Sequence, residues 1–176
     1  MKMSKSHVGK KILVIGQAPP EHIQEIPFGK TRLFKWLGEV GLDQQEALIT
    51  IEFAALIGHF PGKGKKGHLA PSQTEICRYR PELIKILQKT DPKVIVPVGL
   101  LAIREVLNNK DALMTNSVGR SFSIAPLGLS GKKLKIVPLP HPSGASAWVY
   151  MGENSILLKN ALSELRNAIN LDQPCS

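Results

Sequence analysis

The sequence predicts an α/β protein: a three-layer α/β/α sandwich around a central four-stranded parallel sheet. Three observations carry that expectation. Residues 11–16 (KILVIG) and 93–99 (KVIVPVG) are short apolar runs ended by glycine, the pattern of strands buried on both faces. Segments with helical apolar spacing alternate with such runs, which implies parallel βαβ units. A chain of 176 residues is a natural size for one unit with a single core, so one domain is expected over residues 11–170, with flexible ends at 1–10 and 171–176.

In chain order, residues 11–16 form the first strand. Residues 31–40 carry apolar side chains at 33, 34, 36, 37 and 40, with Gly41 as the C-terminal stop, and read as a helix. Residues 47–56 (ALITIEFAAL) begin as a second strand. Residues 58–71 are a basic loop by their glycine, proline and lysine content. Ser72-Gln73-Thr74-Glu75 fits a capping box, and the helix it opens runs to about Lys89, before Asp91-Pro92. The 93–99 strand leads into a helix over 100–108, residues 134–139 (LKIVPL) form the last strand, and a helix over 154–170 closes the chain.

Net charge is +9 and the isoelectric point is near 9.7. That balance favours a polyanionic partner, because each Lys or Arg near a phosphate releases condensed counterions. No stretch approaches the about 18 apolar residues that span a bilayer, so a membrane partner is not expected. The two cysteines, Cys77 and Cys175, do not make a disulfide scaffold or hold a metal cluster; a reducing cytoplasm and a monomer are expected.

In parallel sheets, ligands bind at the loops leaving the carboxyl ends of strands. The loops at 16–20, after Gly99 and at 141–146 all leave such ends and are expected to face one another. Ile15-Gly16-Gln17-Ala18-Pro19-Pro20 and, far downstream, Leu139-Pro140-His141-Pro142-Ser143-Gly144-Ala145-Ser146 resemble the two signature motifs of the uracil-DNA glycosylase superfamily. Pro27-Phe28-Gly29-Lys30 before a helix, a helix with Cys77 and Pro81, and Pro92-Lys93-Val94-Ile95-Val96 resemble its bacterial and archaeal iron–sulfur branch.

The resemblance implies a monofunctional DNA glycosylase that flips a base from DNA and hydrolyses its N-glycosidic bond, without strand cleavage by a Schiff-base lysine. Gly16, Gln17, Ala18 and Pro19 are then the loop that shapes the base pocket and places the water. Phe28 is the stacking aromatic, His141 the donor to the departing base, and Ser143, Gly144 and Ser146 belong to the loop that grips phosphates. Such a donor makes chemical sense, since negative charge develops on the base as the bond breaks; losing one donor costs about 3 kcal/mol, or roughly two orders of magnitude in rate.

The pattern departs from the family in three places. Ala18 stands where the best-studied branch has a water-orienting aspartate. The base-reading asparagine of the second strand is not evident, Thr50-Ile51-Glu52-Phe53 standing there instead; Glu52 is a pocket acid, an acceptor for a base N–H, or a surface carboxylate, and Glu25 is a second candidate acid. Cys77 lacks companion cysteines, so no cluster and no other cofactor is expected, and packing must hold what a cluster would brace.

Each candidate has a plainer alternative. Phe28 is either a pocket or a core aromatic, and Trp148 either wedges into DNA or packs against the last helix. Lys63, Lys65 and Lys66 contact phosphates or are simply solvated, and His59 and His68 have no partners at metal-ligand spacing. A catalytically weak relative that binds damaged or single-stranded DNA is the alternative to an enzyme. A nucleotide-binding protein using the Gly16 and Gly99 turns lacks a full glycine-rich phosphate motif.

Overall fold

The structure, a computed structural model, describes residues 10–170 except Ile23, Lys66 and Ala145. The termini expected to be flexible, 1–9 and 171–176, lie outside the described residues, as does Cys175. Lys10, expected in the flexible lead-in, is tied down: its ammonium donates to the carbonyls of Leu48 and Ile51 at 3.1 and 2.7 Å.

A five-stranded sheet forms the centre. Strands β1 (Ile12–Gly16), β2 (Ile51–Ala55), β3 (Lys63–Gly64), β4 (Gly67–His68), β5 (Val94–Pro97), β6 (Phe122–Ile124) and β7 (Leu134–Ile136) occur in chain order, and the main sheet runs β2-β1-β5-β7-β6. Four of its strands are parallel, as the apolar runs predict. The fifth, β6, pairs antiparallel with β7 and was not expected: its three residues, Phe-Ser-Ile, are too short for a periodic signal. The short β3–β4 hairpin lies within the basic loop.

Helices α1 (Leu33–Glu39), α2 (Gln44–Thr50), α3 (Gln73–Thr90), α4 (Leu100–Leu107), α5 (Met114–Ser117) and α6 (Asn154–Asn170) complete the fold. The strand expected from residue 47 instead starts at Ile51, because Asp43 caps α2 by accepting from Glu46 N–H at 2.9 Å. The run ALITI reads as strand by its β-branched content, but the cap commits its first four residues to a helix. The Ser72–Glu75 capping box forms as expected.

Side-chain alternation along β1 divides the core into two. Ile12 and Val14 join Leu33 and Leu37 of α1, Ala47 of α2 and Ala161 and Leu165 of α6 on one face. Leu13 and Ile15 join Ile76, Leu83 and Leu87 of α3 and Ala102 and Val106 of α4 on the other. A strand covered on both sides must be apolar throughout, which is why β1 reads as a continuous run. Among the described residues no helix is long and apolar enough to cross a membrane.

Candidate active site

The topology brings the carboxyl ends of β1, β5 and β7 side by side. Ile15 pairs with Pro97, Val98 N–H donates to Ile15 O at 2.9 Å, and Gly99 N–H donates to Leu139 O at 2.9 Å. The loops after Gly16, Gly99 and Leu139 therefore open at one edge, as the strand pattern predicts.

Two rings lie against glycines at this edge. A β-carbon at Gly16 would stand 2.7 Å from Phe28 Cζ, so the Phe28 ring needs the bare backbone there. At Gly99 a β-carbon would make only ordinary contact with the His141 ring, 3.4 Å from Cδ2, and it is the φ of +87° that favours glycine there. Phe28 itself is left-handed at φ +59°, an uncommon state for a bulky residue. It is held there by Thr31, whose N–H and Oγ1 both donate to Phe28 O, at 2.9 and 2.7 Å. The ring is half-buried and leans on Phe53 of β2, centroids 6.1 Å apart, so it lines the edge and belongs to the core at once.

His141 is fixed through one nitrogen. Ser143 N–H donates to Nδ1 at 3.3 Å, which makes Nδ1 an acceptor and places the ring proton of the neutral imidazole on Nε2. Partial loss of water around the ring pushes its pKa below the ordinary histidine value, so the ring is neutral at neutral pH. The residue is nonetheless exposed on one side. A neutral donor facing a crevice is what a departing anionic base requires.

The loop carrying His141 is organised by a residue that sequence reading did not single out. Arg32 N–H donates to Pro142 O at 3.0 Å, and its guanidinium donates to Ser143 O at 2.5 Å, Ser146 O at 2.9 Å and Tyr150 Oη at 2.9 Å. Ser146 N–H also donates to Ser143 O, closing a turn over Gly144. No local signal could reveal this, since Arg32 and its acceptors lie more than 100 residues apart.

Other candidates fall differently. Gln17, Ala18 and Pro19 are half-buried in the loop leaving β1. Glu52 is not brought to this edge: it sits near the amino end of β2, opposite Leu13, with its carboxylate 3.7 Å from the Lys10 ammonium. The residue opposite Gly16 at the carboxyl end of β2 is Ala55, so no polar side chain reads a base from that position. Glu25 is exposed.

Lys63 is bound to Glu21 at 2.6 Å, tying the hairpin to the loop after β1; that hydrogen bond holds the Glu21 carboxyl below its usual range. Lys65 is exposed, and Lys66 lies outside the described residues. His59 contacts Glu75 at 3.0 Å, and His68 stands edge-on to Phe60. Among the described residues no three His, Cys, Asp or Glu side chains are grouped to hold a metal.

Trp148 is half-buried against the core cluster that includes α6, which fits the packing alternative. Tyr150, 77% exposed, and Met151, 61% exposed, are the large side chains that face solvent beside the loop. Cys77 is exposed on α3, within reach of Gln73. On the same helix as Cys77, Arg80 meets the buried Glu105 of α4 at 2.6 Å, and Gln73 Nε2 donates to the same carboxylate.

No curated protein matches the chain. The family model described as the uracil DNA glycosylase superfamily matches residues 4–166.

Proposed function

The chain belongs to the uracil DNA glycosylase superfamily, and from that premise we propose that it hydrolyses the N-glycosidic bond of uracil, or of a related deaminated base, in DNA. A glycosylase-type activity on DNA follows from membership; the base and the retention of catalysis are our own reading. The observation that carries it is His141, neutral, held by Ser143 N–H at Nδ1 and free to donate from Nε2.

In this reading the flipped base stacks on Phe28 above Gly16, and stacking worth about 1–3 kcal/mol offsets part of the cost of extrusion. The bond from the sugar C1′ to the base breaks with positive charge on the sugar and negative charge on the base. His141 Nε2–H stabilises the base anion by a hydrogen bond and keeps its own proton. Water adds to C1′, and its proton ends on the released base. With Ala18 in the water-orienting position, Gln17 holds the water by its amide, and the cation at C1′ is stabilised mainly by the substrate's own phosphates.

Base release from matched oligonucleotides carrying one uracil, hypoxanthine, xanthine or mismatched thymine tests this. Release that falls about a hundredfold in His141→Ala supports the enzyme, and the preferred base names the substrate. Ala18 and Ala55 favour a second reading, a binding protein for damaged or single-stranded DNA. Tight binding with no release from any substrate would decide for it.

A further inference from the structure

The guanidinium of Arg32 is placed as an internal clamp. Its Nε and both terminal nitrogens are engaged by Pro142 O, Tyr150 Oη, Ser143 O and Ser146 O. It also lies 5.9 Å from the Trp36 ring centroid and 5.3 Å from that of Tyr150. A cation so occupied is not available to grip a phosphate.

The geometry of one peptide shows what the clamp controls. The Pro142 carbonyl, which accepts from Arg32 N–H, and the Ser143 N–H, which donates to His141 Nδ1, belong to the same planar trans peptide. Its C=O and N–H point in opposite directions, so holding one aims the other. The next carbonyl, Ser143 O, is held by the Arg32 side chain, so the plane is pinned on both sides.

We propose that Arg32 is a positioning residue: by pinning the Pro142–Ser143 peptide it keeps Ser143 N–H on His141 Nδ1 and the donating proton on Nε2. The effect on rate rests on the glycosylase reading; the effect on the tautomer does not. Charge alone does not suffice, because an ammonium is a point donor and cannot span three carbonyls with a fixed fork.

The test compares wild type, Arg32→Ala and Arg32→Lys as the full chain. The histidine ring nitrogens are read by nitrogen-15 NMR, with His141 assigned by the signal missing from His141→Ala. Wild type is expected to show a protonated Nε2 and an acceptor Nδ1. Both Arg32 variants are expected to show the two signals drawn together as the tautomers mix.

Single-turnover base release is expected to fall about thirtyfold in both, less than in His141→Ala because the residue-32 backbone N–H still holds Pro142 O. Affinity for the same oligonucleotide is expected to fall by less than the rate does, since in the glycosylase reading the loop that Arg32 holds also faces the phosphates. Should Arg32→Ala not fold, Arg32→Lys, which keeps the alkyl stem and the charge, carries the test. Unchanged His141 nitrogen signals in folded Arg32→Lys would overturn the proposal, as would full rescue of rate by lysine. If wild type releases no base, the glycosylase reading fails while the nitrogen signals still decide the tautomer claim.

Discussion

Ser143 N–H and His141 Nδ1 are 3.3 Å apart, and this contact assigns the ring proton to Nε2. Protonating the ring puts a hydrogen on Nδ1 and sets it against the Ser143 N–H. Burial already holds the pKa below the ordinary value of 6.5, so the charged form is disfavoured in the folded state. The folded state's preference for the neutral ring is fully present above 6.5, and it is lost as pH falls through the lowered folded value. Base release is therefore expected to be flat above about pH 7 and to decline only on the acid side, with a midpoint below the ordinary histidine value. A pH profile of kcat/KM, which reports the free protein, checks this, and a midpoint above that value would contradict it.

Gly16→Ala is expected to impair base handling more than folding. Its β-carbon would collide with Phe28 Cζ and displace the ring, an overpacking cost of about 1–3 kcal/mol, or a few degrees in Tm. Release is expected to fall at least about tenfold because the platform moves. Calorimetry and single-turnover kinetics on one preparation separate the two effects.

Breaking the Arg80–Glu105 pair should be costly. Arg80→Met alone leaves a buried carboxylate and should lose about 3 kcal/mol in urea unfolding, while Glu105→Leu should lose less, since the partly exposed Arg80 guanidinium keeps Leu127 O and solvent. The double variant is expected to recover most of that loss, because no charge is left unpaired.

Glu75 makes stability depend on acid. Hydrogen bonds from Ser72, with His59 adding to them, hold its pKa down at about 2 against a usual 4.5. The stabilisation is present above 4.5 and is lost as pH falls towards 2. Wild type should therefore exceed Glu75→Gln in urea midpoint at neutral pH, and the two curves should converge on the acid side.

If the hairpin follows DNA, Lys65→Ala should weaken binding to every sequence alike and reduce the slope of log K against log salt by about 1. Lys63→Ala should do less, since that lysine must first leave Glu21. Salt titrations of one oligonucleotide measure both slopes.

The parallel strands and the capped α3 were legible because buried strands and capping boxes are local patterns. The convergence of the three loops followed from strand direction alone. What escaped was either short or distant. Strand β6 has three residues, and the Asp43 cap of α2 is masked by an apolar run that reads equally well as strand. Arg32 looks like any cation at a helix start, and its partners lie at the other end of the chain. Glu52 lies opposite Leu13, one residue into β2, whereas the site edge is at Ala55; a run read as strand over 47–56 does not say which of its residues reaches that end.

The separation between Arg32 and residues 142–150 also has a consequence on the ribosome. Strand β7 takes its place beside β5 only after residue 136 has emerged, and the His141 loop meets Arg32 later still. At about 5–20 residues per second, the nascent chain spends several seconds with β1 and β5 synthesised and the crevice lacking its third wall. A truncated product ending before His141 would keep Phe28 and its platform glycine yet lack both the imidazole and the carbonyls that Arg32 holds.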